Sequence, residues 1–140
     1  MQAAGDNIVR IGELELRFVA GAPGVTAFEF TVPSRARVPA PHFHRDADEL
    51  LYGLDGVLTV TVDGTSTELG AGQAVFIPRG RVHHHTNPRD ATARALVVIT
   101  PGTITRHYFE ELAAVINQPG RPDPARVGEI MLRHGLVAAG

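Results

Sequence analysis

His42-Phe43-His44-Arg45-Asp46-Ala47-Asp48-Glu49 is the stretch on which the reading of this chain turns. Side chains two apart on a strand share a face, so His42 and His44 can point to one interior while Phe43 points away. Glu49 opens the next apolar run, Leu50–Leu54, across the short connection Arg45–Asp48. A third imidazole, His83, comes from the run Val82–Thr86, which also carries His84 and His85. Neutral imidazole is the commonest metal ligand. Three imidazoles and a carboxylate form a borderline-hard nitrogen and oxygen set, suited to one divalent transition-metal ion: Fe, Mn, Ni, Co, Cu or Zn. Taken alone, a His-x-His followed by Glu reads equally well as a ligand pair or as surface histidines.

Outward from that stretch the chain reads as short strands. Ile8–Ile11 and Leu14–Ala20 flank Gly12-Glu13 as a hairpin. Val25–Val32 alternates, with Phe28, Phe30 and Val32 on one face. Pro33, Pro39 and Pro41 make 33–41 an edge or an extended lead-in, not a central strand. Asp55-Gly56 and Asp63-Gly64 are two-residue hairpin signals that separate Leu50–Leu54, Val57–Val62 and Thr65–Leu69. Ala74–Ile77, Val82–Thr86 and Arg94–Thr100 complete about nine or ten strands. Turn signals at roughly 8–12-residue intervals predict an antiparallel sandwich or barrel.

The tail has a different period. Arg106–Ile116 places Phe109, Leu112, Ala113 and Ile116 at helical spacing. Asp123 is a good N-cap with Pro124 at the first helical position. Val127, Ile130, Met131 and His134 then share a face, and Gly135 is placed to end the helix. The expected organisation is a β-barrel over residues 1–104 and a helical extension over 105–140, packed on the barrel or covering its mouth.

Composition narrows the chemistry. A chain of 140 residues predicts one domain, large enough to fold without a disulfide or metal. Net charge is −2, so no global field draws in nucleic acid. No apolar run is long enough for a membrane helix, and Met1–Asp6 lacks the pattern of a signal peptide, which together predict a cytoplasmic protein. There is no cysteine, which excludes disulfides, thiolate ligands and Cys nucleophiles. All 13 basic residues are Arg, which excludes Schiff-base lysine chemistry.

The motifs resemble those of the cupins. The first cupin motif, G-x5-H-x-H-x3–4-E-x6-G, is met by His42, His44, Glu49 and Gly56, with Ala36 where the leading Gly is expected. The second, G-x5-P-x-G-x2-H-x3-N, is met at every position by Gly72, Pro78, Gly80, His83 and Asn87. The resemblance implies an all-β double-stranded β-helix, a jelly roll, with a C-terminal helical extension. It implies that His42, His44, Glu49 and His83 are the metal ligands. It also implies a homodimer, as is common among cupins. Similar helical tails follow the barrel in small bacterial cupins that are quercetin-dioxygenase-like.

The other residues have physical roles beside this. Gly56 and Gly72 permit the positive φ of tight turns, Pro78 and Gly80 bend the chain toward His83, and Asn87 fixes backbone through its amide. His85 shares the inward face of its strand with His83, where it either serves as a base toward a bound substrate or lines the barrel. His84 points outward. Tyr52 faces away from the metal. Arg79 and Arg81 either meet an anionic substrate or are solvated, Asp46 and Asp48 read as a solvated turn, and His107 reads as a neutral surface or cap residue. Phe28, Phe30, Leu51, Leu58, Val60, Phe76 and Val97 read as core. An apolar lining with few polar groups favours a hydrophobic or aromatic ligand. The expected function is a metal-dependent dioxygenase on a flavonol- or enediol-like small molecule, with Glu49 as base or ligand and His85 as a further base. The alternatives are a metal-dependent isomerase, cyclase or lyase, and a binding barrel without turnover.

Overall fold

A computed structural model describes residues 7–139. Met1–Asp6, on which the signal-peptide argument rests, lie outside the described residues. The strands are β1 (Ile8–Ile11), β2 (Leu14–Ala22), β3 (Val25–Val32), β4 (His42–His44), β5 (Asp48–Asp55), β6 (Leu58–Val62), β7 (Thr65–Leu69), β8 (Ala74–Ile77), β9 (His83–Thr86) and β10 (Ala93–Thr100). Two helices, α1 (Arg106–Ile116) and α2 (Pro124–Arg133), and a last strand, β11 (Leu136–Ala138), follow. One sheet runs β1-β2-β3-β10-β5-β8 and the other β11-β4-β9-β6-β7, with every pairing antiparallel. This is the double-stranded β-helix that the turn spacing and motifs predict. No helix of the described residues is long and apolar enough to cross a membrane.

Alternation explains which residues face inward. On β3, Phe28, Phe30 and Val32 are buried, while Glu29 and Thr31 between them are half-buried. On β10, Ala93, Ala95, Val97 and Ile99 are buried while Arg94, Leu96 and Val98 are less so. These inner faces meet Leu51, Leu58 and Val60 in one hydrophobic cluster between the sheets.

One core assignment is corrected. Phe76 is 58% exposed. It pairs with Leu50 on the outer face of the edge strand β8, and Ile77 takes the inward position. Tyr52 and Leu50 are exposed on that same outer face.

The motif residues act on the backbone as expected. Gly56 and Gly72 have φ of 63° and 80°. Ala36 stands where the leading glycine is expected, and the left-handed residue is the one before it, Arg35, at φ 54°. Asn87 is buried, and its Nδ2 donates to the carbonyls of Val32 (3.0 Å) and Ala91 (2.8 Å). It thereby ties the end of β3 to the connection between β9 and β10.

The tail is fastened at both ends. The Asn117 amide accepts from Gly12 N at 2.7 Å and donates to Arg10 O at 2.8 Å, which locks α1 to the β1–β2 hairpin. Asp123 caps α2 by accepting from Ala125 N at 3.0 Å. β11 then enters the five-stranded sheet beside β4, with Leu136 opposite His44 and Ala138 opposite His42. A three-residue strand shows no period of its own, and its partner lies some ninety residues away, so nothing local announces it. Between the helices, Glu111 accepts from Arg133 (2.7 Å) and His134 (2.8 Å) and pairs with His107 (3.2 Å). His107 is thus an exposed surface residue whose Nε2 lies beside the Glu111 carboxylate.

Candidate metal centre

Register brings the predicted residues together. His42 on β4 stands opposite His83 on β9. On the other side of β9, His83 pairs with Val62 and His85 with Val60, so both imidazoles share the inner face of the buried Val60. Glu49 lies between Ile99 and Ile77, both buried, and so faces the same interior from the opposite sheet. The rings of His42, His44 and His83 are mutually adjacent, with centroids 4.6–5.4 Å apart.

Two overlapping groups could each hold a metal ion: His42, His44 and His83, and Glu49, His83 and His85. His83 belongs to both. Glu49 Oε1 is 3.7 Å from His44 Nε2 and 3.8 Å from His83 Nε2, while its Oε2 accepts from His85 Nε2 at 2.8 Å.

Hydrogen bonds set the tautomers. His42 Nδ1 meets the carbonyl of Ala40 at 2.8 Å, and His83 Nδ1 meets that of Arg81 at 3.1 Å. A carbonyl only accepts, so each Nδ1 carries the proton and each Nε2 presents a lone pair. Burial holds His42, His44 and His83 at a pKa of about 4, below the ordinary 6.5, so these imidazoles are neutral near pH 7. Burial pushes the Glu49 carboxyl the opposite way. The hydrogen bond from His85 and the nearby imidazoles outweigh that and hold it below the usual carboxylate range. An ionised carboxylate also only accepts, so His85 Nε2 carries the proton it shares with Oε2.

His44 Nδ1 and His85 Nδ1 are buried and have no hydrogen-bond partner among the described residues. Buried polar atoms normally find one. Two orphaned imidazole nitrogens beside two bare ones are the donor chemistry of a site that takes an ion or ligand.

The cavity these residues line is about 80 Å³. The histidines and Glu49 form its one polar end. The rest is apolar, including Phe28, Phe30, Val97, Leu136 and, from α1, Tyr108 and Leu112. Tyr108 is almost fully buried, although the helical spacing of Phe109, Leu112, Ala113 and Ile116 does not include it. The two arginines are engaged elsewhere. Arg79 binds Asp48 through its backbone N–H (2.8 Å) and its guanidinium (3.1 and 3.2 Å), and Arg81 binds Asp63 at 2.7 Å. Asp48 is therefore a paired strand residue, with its carboxyl held below the usual range by Arg79. His84 is half-buried on the opposite face of β9.

With this geometry in place, comparison with known proteins is informative. Residues 28–99 match the family model described as "Cupin domain". The tetracenomycin polyketide synthase protein TcmJ of Streptomyces glaucescens is 35% identical over 60 residues, which are 43% of this chain and 40% of that protein. The chain thus matches well under half the length of that relative. Among solved structures, a sugar phosphate isomerase of the cupin superfamily from Silicibacter pomeroyi aligns with TM-score 0.61 at 22% identity, over 71% of this chain and 75% of that one. KdgF from Halomonas sp. aligns with TM-score 0.58 at 23% identity, over 63% and 78%. The Cnp3 cupin domain of Schizosaccharomyces pombe aligns with TM-score 0.61 at 19% identity, over 70% of each chain. At these identities the structural likeness shows the fold alone.

Proposed function

This chain belongs to the cupin family, and on that premise we propose that it is a metal-dependent enzyme acting on a small organic substrate with an ionisable enol or phenol oxygen. The observation that carries the reading is the pair of buried Glu49 and half-buried His85, 2.8 Å apart, beside three neutral imidazoles at the polar end of an apolar cavity. The donor set fits a divalent transition-metal ion, because His42 and His83 present bare Nε2 atoms and the Nδ1 atoms of His44 and His85 are buried without a partner. His42, His44, His83 and Glu49 Oε1 would hold it. Bound there, such an ion supplies electrostatic stabilisation of a developing oxyanion and, where redox-active, access to dioxygen.

The chain's own residues handle the proton. Glu49, kept ionised, fixes His85 in the tautomer with Nε2–H toward Oε2 and leaves Nδ1 as the basic nitrogen. A proton leaving the substrate oxygen is taken up by this pair, and the Glu49 carboxylate balances the imidazolium so formed. The apolar walls exclude water that would compete for the proton.

The preferred reaction is oxygenation of the deprotonated flavonol- or enediol-like substrate by dioxygen, with both oxygen atoms entering the product. The likeness to a polyketide synthase protein supports a second reading, an isomerisation, cyclisation or elimination in which the same pair moves a proton and no dioxygen is used. The test is dioxygen uptake and product analysis with 3-hydroxyflavone, in air and under argon, for the parent and Glu49→Gln. The expected result is uptake matching product formation, with kcat lowered by about 10²–10⁴-fold in the variant. Turnover under argon selects the second reading. Tight binding with no product in either atmosphere overturns both and leaves a binding barrel.

A further inference from the structure

A second cavity, of about 410 Å³, lies between the helical pair and the β1–β2 hairpin. It shares a wall with the histidine-lined cavity: Ile11, Leu14, Pro39, Tyr108 and Leu112 line both. The two differ in capacity. The histidine-lined space of about 80 Å³ suits a head group, whereas the neighbour falls within the roughly 300–1,000 Å³ typical of ligand pockets. The larger chamber is lined mainly by apolar side chains, with Arg37 and Glu13 exposed at its rim.

Its far wall is α2, and there the sequence does something costly. Gly128 sits in the interior of that helix, where glycine is less favourable than alanine. At Gly53 and Gly56 a Cβ would collide with the backbone of Gly70 and Thr92, so glycine is sterically required at those two positions. At Gly128 a Cβ would meet nothing within 4 Å. No packing demand inside the chain excludes a side chain there. The missing atoms keep the chamber open. Tyr108 brings the one polar side chain of the shared wall, a phenol whose pKa burial raises further above its ordinary value.

We propose that this chamber binds the apolar body of the substrate, while the acidic oxygen of its head group lies among His42, His44, His83 and Glu49. The inference rests on the functional reading above and sets its substrate class: a multi-ring or comparably bulky hydrophobic molecule with one enol or phenol head, not a small polar metabolite.

Calorimetric titration of the protein with two probes tests it. 3-Hydroxyflavone carries head and body, and acetylacetone is an enol head alone. The parent is expected to bind the flavonol at least about 100-fold more tightly. Gly128→Leu and, from the opposite wall, Ile116→Trp fill the chamber. Each is expected to weaken 3-hydroxyflavone by about tenfold or more and leave acetylacetone affinity and metal content unchanged, with thermal melts confirming the fold. If both variants bind the flavonol like the parent, the chamber is unused and the inference falls while the functional reading stands. A parallel loss of both probes also overturns it, because the substitutions would then be acting on the histidine site. Failure of the parent to bind either probe removes the functional reading and the inference together.

Discussion

The two ends of the central cavity are built by different means. The polar end is made of strand residues whose direction is set by alternation and register: His42 and His44 on β4, His83 and His85 on β9, and Glu49 on β5. The apolar end depends on the tail, through Tyr108 and Leu112 of α1 and Leu136 of β11. Strands joined by ladders on both sides hold side chains to a fixed geometry, which metal and proton chemistry demands. Helices packed by apolar contact can change shape with a few substitutions, which substrate choice demands. On the proposed function, the fold separates the end that would react from the end that would recognise the substrate.

The largest expected effect lies at the polar end. His83 is shared by both ligand groups, so His83→Ala is expected to lose the bound ion, from about one per chain to near none, as read by elemental analysis. The barrel should stay folded by circular dichroism, because its core does not depend on that side chain. Retained metal would show that the polar end is not the centre described above.

Acidification separates the ends more gradually. The pKa values of His42, His44 and His83 are lowered to about 4 in the folded chain against 6.5 ordinarily. Below 6.5 the unfolded chain therefore binds more protons than the folded one, so stability is full above that pH and declines as pH falls toward about 4. Metal affinity falls in the same direction as the ligands protonate. Denaturant melts of metal-free protein between pH 7 and 4 check the first point. A flat profile would mean that the imidazoles are solvated.

The smallest effect is expected at the apolar end. Leu136→Ala removes a buried side chain opposite His44 and should cost about 2–5 kcal/mol in denaturant melts, with metal content unchanged in the folded protein. A loss of metal as well would show that β11 sets the geometry of the histidine strand, and the division between the two ends would then be less sharp.

The same division governs what could be read from the sequence. Ligand spacing, the Asp-Gly turns and the alternation of β3 and β10 are local patterns, and they announced the barrel and its inward histidines. The role of Asn87 followed from its place in the second motif. Ala74–Ile77 is apolar at every position, so it has no visible parity, and nothing local shows that Phe76 faces outward. Tyr108 was hidden because Tyr and Phe at consecutive positions cannot both define a helix face. The pairing of Arg79 with Asp48 spans 31 residues and reflects strand adjacency that no local pattern encodes. The chamber beneath Gly128 follows from where two helices rest, which spacing alone does not determine.

The placement of β11 has a consequence for how the protein is made. Its backbone pairs with β4, and Gly135 O accepts from Arg45 N at 2.8 Å. The histidine pair at 42 and 44 therefore gains its outer neighbour only once residue 138, some ninety residues on, has been made. Until then one edge of the shortest ligand strand has no partner. The outer edge of β4 is thus covered by the last strand of the chain, whereas its inner edge meets β9, made much earlier.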